Sequence, residues 1–235
     1  MYRSILLLLA VSIFLSCQDT KSTKKEVSQT PIITDTLPEK KELEAPKGTP
    51  GNPMIASQAE LIPFLTKYGE ENPETKIRIE NRFGTIEVEL FKDTPLHRAN
   101  FIMLVKNGYF NTTQFHRVSP DFVVQGGNND TKTTARNREG MGRYLLPNEA
   151  LKKYPHVRGA FSAAKYSEQN ISKASSPFEF FIVQSHRGAH HIDGEHTVFG
   201  RVTKGMDVVD KMNEVSVDGT EWPEENIYMN VTIVE

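Results

Sequence analysis

Two short stretches hold most of the chain's chemistry. The first, Phe115-His116-Arg117-Val118-Ser119-Pro120-Asp121-Phe122-Val123-Val124-Gln125-Gly126-Gly127, sets a guanidinium and a long amide on what read as two strands. Taken alone, an arginine on a strand is usually a solvated or salt-bridged surface group, and the apolar residues around it are usually core. The second, His190-His191-Ile192-Asp193-Gly194-Glu195-His196, is rich in potential metal ligands. It lacks the helical two-histidine spacing of zinc proteases, and Asp193-Gly194 reads as a hairpin turn, so no metal site is expected there. Cys17 is the only cysteine. It has no partner for an internal disulfide, and stability must come from the core.

The order of these motifs carries a resemblance. Phe115 to Gly127 closely resembles the cyclophilin signature, a phenylalanine-histidine-arginine strand running into a glutamine and paired glycines. Ile86 to Phe110, with Asp93-Thr94-Pro95 and Asn100-Phe101, looks like that family's first hairpin and helix. Val157 to Ala164 is similar to its groove strand, and Ile192 to Gly200 to its hairpin near the end of the site. The order and approximate spacing hold from about Lys76 to Glu235. The resemblance implies a mainly β fold: a closed antiparallel barrel of about eight strands with two capping helices. It also implies a peptidyl-prolyl cis-trans isomerase that assists folding of proline-containing polypeptides and needs no cofactor.

A prolyl bond rotates slowly because amide resonance gives its carbon–nitrogen bond double-bond character. Rotation breaks no bond, so neither a nucleophile nor a metal is required. A donor aimed at the prolyl nitrogen helps, because the lone pair is freed as the amide twists. A guanidinium, always charged and rich in donors, suits that task. By the resemblance Arg117 takes this role and Gln125 orients it. An acceleration of about five decades needs about 7 kcal/mol of transition-state stabilisation, so clamping of the flanking chain must contribute too. The resemblance places Phe122, Val123, Phe181 and Ile192 around the proline ring, with His196 at the edge. Ala164, Lys165, Glu179 and His191 extend the substrate-binding groove.

Three of those positions depart from the family. His191 stands where a tryptophan is common, which implies weak cyclosporin binding. Lys165 replaces a backbone-binding asparagine. Glu179 falls in Pro177-Phe178-Glu179, where glycine-serine-glutamine is usual, and is expected to pair with Arg117 in competition with substrate. These departures sustain a rival reading, a groove that holds polypeptides with little catalysis.

The elements that must position these residues read mostly as strands. Ile77 and Ile79, then Ile86, Val88 and Leu90, alternate with polar residues around an Asn81-to-Gly84 turn, which predicts a hairpin with one buried face. Thr94-Pro95 predicts an N-cap and a first-turn proline for a helix running to Gly108. A second helix is expected near Met206 to Met212. Further strands are expected at Phe115–Val118, Phe122–Gln125, Phe180–Gln184, Thr197–Val202 and Tyr228–Val234. Ser57 to Glu60 resembles a capping box opening a short helix towards Gly69, with Pro63 a counter-signal.

With 28 basic and 30 acidic side chains and a net charge of -2, the chain gives no electrostatic reason to bind nucleic acid. At the N-terminus, Arg3 precedes an apolar run from Ile5 to Leu15, too short to span a bilayer but the length of a signal core. Leu15-Ser16-Cys17 resembles a bacterial lipobox, which implies that residues 1–16 are removed and that Cys17 is lipidated. Residues 17–54, proline-rich and without an aromatic residue, read as a disordered tether, and 55–235 as the domain. The expected protein is a monomer anchored in the cell envelope, in the outer membrane facing the periplasm.

Overall fold

The computed structural model describes residues 45–166 and 170–234. The expected signal, Cys17 and the tether as far as residue 44 lie outside the described residues. Residues 45–54, read above as tether, are described: Met54 and Ile55 donate backbone N–H groups to Gly140 and Met141 carbonyls at 2.8 and 3.1 Å. The folded unit therefore starts upstream of residue 55. Among the described residues no helix is long and apolar enough to cross a membrane.

Period-two alternation builds the first hairpin. In β1 (Lys76–Asn81) and β2 (Gly84–Leu90), Ile77, Ile79, Ile86, Val88 and Leu90 are buried while their neighbours are not. The strands pair with Ile79 opposite Ile86, and the Asn81 side chain accepts the Phe83 N–H at 2.8 Å to fix the turn. Seven more strands follow: β3 (Gln114–Ser119), β4 (Val123–Asn128), β5 (Ala160–Ala163), β6 (Phe180–Val183), β7 (Val198–Lys204), β8 (Ile227–Tyr228) and β9 (Asn230–Ile233). All belong to one sheet, in the order β8-β3-β4-β6-β5-β7-β2-β1-β9.

The expected single strand at Tyr228–Val234 is two strands, split at Met229. The split explains the shape. β8 pairs with β3 and β9 with β1, so one stretch of chain supplies both edges of the sheet. Among the described residues the barrel is nearly closed and has nine strands, in keeping with the closed barrel of about eight that was expected.

Among the described residues four α-helices, where two were expected, accompany the sheet: α1 (Leu61–Glu71), α2 (Pro95–Lys106), α3 (Lys132–Met141) and α4 (Met206–Asn213). Upstream of α1, Ser57 makes no cap; residues 58–60 form a 3-10 turn instead, and Pro63 sits in the first turn of α1, where its missing N–H has no intrahelical partner to lose. At α2 the proline is at the first turn as expected, but Thr94 makes no side-chain cap and donates to the Phe91 carbonyl at 3.3 Å. The cap comes from Glu149, whose carboxylate accepts the Leu96 and His97 N–H groups at 3.1 and 2.9 Å. A negative charge there also answers the positive end of the helix dipole.

Phe101 on α2 fills the barrel. Its ring meets those of Phe110, Phe161, Phe180 and Phe199 at centroid distances from 4.5 to 5.8 Å. β6 is apolar throughout because both of its faces are covered. Phe180 and Ile182 enter this core, while Phe181 and Val183 join a second cluster with Val123, Ala160, Ala164 and Val198. That smaller cluster floors the site.

Candidate active site

A β-bulge aims the arginine. Phe115 pairs with Gly126 and Arg117 with Gln125, so His116 is an extra residue opposite no partner. Without it Phe115 and Arg117 would share a face. With it, Phe115 and Val118 both enter the core, and Arg117 joins Gln125 at the groove. The two glycines after Gln125 have separate steric reasons. A Cβ on Gly126 would lie 2.7 Å from the Met229 methyl, and one on Gly127 would lie 2.1 Å from the Phe178 carbonyl oxygen.

The groove has a volume of about 530 Å³. Arg117, Phe122, Val123 and Gln125 line one wall and Ala164, Lys165 and Phe181 the floor, with His191, Ile192, Glu195 and His196 contributed by the segment before β7. Arg117 Nη1 donates to Gln125 Oε1 at 3.4 Å, and Gln125 Nε2 donates to Glu179 Oε2 at 3.1 Å. The expected pairing of Glu179 with Arg117 is not formed. Glu179 instead binds Arg138 of α3 at 3.1 Å and lies 3.6 Å from His116. Burial pushes the Glu179 carboxyl up, but His116 and Arg138 outweigh it and hold it below the usual carboxylate range. Arg138 also donates to the Tyr109 hydroxyl at 2.9 Å and to the Gly127 carbonyl at 3.2 Å, and its guanidinium lies over the Phe178 ring. Glu179 is thus a support behind Gln125, outside the groove lining.

The carboxylate that does reach Arg117 is Glu221. Arg117 Nε donates to Glu221 Oε2 at 2.6 Å, and the Ser119 hydroxyl donates to Oε1 at 2.6 Å.

Two histidines shape the floor. His196 Nδ1 lies 3.0 Å from the Ala163 carbonyl, so that nitrogen carries the proton, and its ring meets Phe181 edge-on at 5.4 Å. His156 stacks on Phe181 at 5.9 Å and meets the His196 ring edge-on at 6.3 Å, with Nδ1 2.8 Å from Asp193 Oδ1 and Nε2 3.0 Å from the Ser162 hydroxyl. Burial lowers both imidazoles below the ordinary histidine value and favours their neutral forms. Asp193 also meets His190 Nδ1 at 3.0 Å, so both of its carboxylate oxygens are engaged by histidines. Among the described residues no group of three or more His, Cys, Asp or Glu is placed to hold a metal ion.

The departures from the expected pattern have local partners. The Lys165 side chain is only 9% exposed and its Nζ lies 3.6 Å from Glu195 Oε2, while Lys173 holds Oε1 at 2.7 Å. The ammonium that replaces the expected asparagine is therefore partly neutralised inside the groove. His191 is exposed and lies against Phe122, ring centres 5.4 Å apart.

Residues 75–234 match the family model described as cyclophilin type peptidyl-prolyl cis-trans isomerase/CLD. The chain belongs to that family. It is 37% identical over 162 residues to peptidyl-prolyl cis-trans isomerase-like 2 of Rhizopus delemar, a match covering 68% of this chain and 29% of that protein. It is 36% identical over 143 residues to a peptidyl-prolyl cis-trans isomerase of Acinetobacter baylyi, covering 60% of this chain and 73% of that one. Among solved structures, a Cryptosporidium parvum cyclophilin type isomerase crystallised in the presence of the dipeptide Ala-Pro aligns with TM-score 0.57 and 25% identity, covering 68% of this chain and 99% of that one.

Within this cyclophilin the sequence-derived groove residues come together, Glu179 excepted. Besides His156, which the sequence does not single out, three further participants carry no separate sequence signal. Glu195 lay in the run weighed as a metal site, and its lining role had no separate signal. Arg138 sits on α3, a helix with no apolar period, and Glu221 lies in a loop 104 positions from the arginine it binds.

Proposed function

We propose that this cyclophilin accelerates rotation about X-Pro bonds in unfolded or flexible polypeptides of the bacterial cell envelope, acting as a monomer tethered by a lipid on Cys17. The observation that carries the catalytic part is the register pair Arg117–Gln125 at the edge of a groove floored by Phe181 and walled by Phe122 and Ile192. Apolar surface suits a proline ring, whose burial holds one side of the bond while the chain beyond it turns. Arg117 then offers its outer N–H groups to the prolyl nitrogen as the amide loses planarity. Gln125, braced by Glu179 and Arg138, limits the guanidinium to one arrangement. No covalent bond changes, so the work is positioning and electrostatics.

The envelope location rests on the apolar run before Cys17 and on the composition of the stretch that follows it. Radiolabelled palmitate incorporation that disappears in Cys17→Ser, followed by membrane fractionation, tests it. For the reaction, the test is isomerisation of an Ala-Pro tetrapeptide by the purified full-length chain beside Arg117→Ala. We expect clear activity that falls by about two orders of magnitude in the variant, the scale of losing one transition-state donor. A folded wild type that is inactive on several peptides would instead support the holding-module reading.

A further inference from the structure

We infer that Glu221 is a positioning residue for Arg117: its carboxylate pins the guanidinium by Nε so that the Nη groups are presented to the groove in one orientation. This rests on the isomerase reading above and names a residue of that site which the motif does not contain. Four observations carry it. The Arg117 Nε to Glu221 Oε2 contact, at 2.6 Å, is shorter than the 3.4 Å contact with Gln125. The carboxylate is itself fixed, because its other oxygen accepts the Ser119 hydroxyl at 2.6 Å. The backbone is fixed as well: Glu221 accepts the Val118 N–H at 2.9 Å, and Asp218 accepts the Thr220 and Trp222 N–H groups in the same loop. Lastly, Glu221 lies at φ 64°, in the left-handed region that a bulky side chain seldom adopts. A loop that holds a strained residue through this many contacts, with the strained residue on the catalytic candidate, fits the usual place of such strain at functional sites.

The bonding pattern says which way the effect runs. Engaging Nε locks the last flexible torsion of the arginine without using either Nη; among the described residues Nη1 meets only Gln125, and Nη2 makes no hydrogen bond. A carboxylate partner also offsets part of the positive charge, but Arg117 and Glu221 are 35% and 36% exposed, so solvent screens that penalty. Orientation outweighs attenuation, and losing Glu221 slows the reaction. Burial raises the Glu221 carboxyl, but Ser119 and Arg117 hold it below its ordinary range, so it is ionised at neutral pH.

The experiment is kcat/KM on an Ala-Pro tetrapeptide for the full-length wild type, Arg117→Ala, Glu221→Ala, Glu221→Gln and the Arg117→Ala/Glu221→Ala pair, with peptide affinity followed separately by NMR titration. Glu221→Ala is expected to lose about tenfold in kcat/KM with affinity changed less than about twofold, the signature of an interaction acting in the transition state. Glu221→Gln, whose single amide oxygen can still accept from Arg117 Nε while its NH2 donates to the Ser119 hydroxyl oxygen, is expected to regain most of that loss. In the Arg117→Ala background, Glu221→Ala is expected to add nothing, because its effect runs through the arginine. Wild-type or raised activity in Glu221→Ala, or losses that multiply in the double variant, would overturn the inference. If Glu221→Ala does not fold, Ser119→Ala decides: freeing one carboxylate oxygen should lower kcat/KM about threefold, and no change refutes the role. An inactive wild type would fail the isomerase reading itself, whereas an active wild type with a dead Arg117→Ala and a normal Glu221→Ala fails only this step.

Discussion

Glu179 shows how one side chain ties the site to the rest of the protein. Its two oxygens face opposite ways, one to Gln125 at the groove and one to Arg138 behind it. Removing a partner from a largely buried ion pair leaves the other charge without compensation, which destabilises by about 3–5 kcal/mol. Glu179→Gln is expected near the lower end of that range, since Arg138 keeps the Tyr109 hydroxyl and the Gly127 carbonyl as acceptors. The check is urea unfolding, read as a shift in midpoint at constant slope. A change below about 1 kcal/mol would mean that Arg138 swings to solvent at little cost. Legibility follows the same geometry. Arg117 and Gln125 were readable because a short hairpin joins them, so their chemistry sits inside one contiguous motif. Glu179 was readable as a departure but not as to its partner, since pairing it required knowing where a helix 41 positions away would fall.

At the scale of elements, what could be read depended on whether burial wrote a period into the chain. β1 and β2 show it plainly, with one face buried and one wet. α4 shows it too, Val208, Val209 and Met212 lying on its covered side. α3 does not: only Thr134, Gly140 and Met141 of it are buried, so no hydrophobic stripe announces a helix. The split between β8 and β9 was equally hidden, because it is imposed by closing the sheet and not by local preference. Capping of α2 gives a prediction at this scale. Thr94 has the right residue type but the wrong hydrogen bond, while Glu149 supplies both acceptor and charge from far along the chain. Glu149→Ala also strands the buried His97 ring, whose Nδ1 lies 2.6 Å from that carboxylate. It should destabilise by about 2–3 kcal/mol, the penalty for buried donors left unpaired, and Thr94→Ala by under about 1 kcal/mol. Thermal melts of the two variants compare them directly; a larger loss for Thr94→Ala would reassign the cap.

For the molecule as a whole, the buried titratable groups set the pH range of stability. His156 and His196 have values lowered by burial, so the unfolded chain takes up protons before the folded one does. Stability from these two is complete above about 6.5 and is lost as pH falls through that value towards their folded ones. Glu179 and Glu221, raised by burial but lowered further by their partners, act at a lower pH. Asp193, held at about 2 by the His156 N–H and the His190 and His156 rings against burial, joins them. These carboxylates contribute fully above about 4.5 and lose that contribution as pH drops through their folded values. On the alkaline side, burial raises the Tyr109 and Tyr144 phenols, whose contribution is present below about 10 and falls away above it. The melting temperature should therefore hold level from about pH 7 to about 9.5, fall gently below about 6.5 and steeply below about 4.5. Calorimetric melts across that range test the curve. His156→Gln should reduce the step below about 6.5, leaving the part due to His196, and should soften the acid limb only by the share of Asp193 that the His156 ring supports. If wild type is already level down to about pH 5, His156 accepts its proton without penalty, with Asp193 as the counter-charge. The floor beneath Phe181 would then tolerate a charged ring, and isomerase activity should stay flat over the same interval.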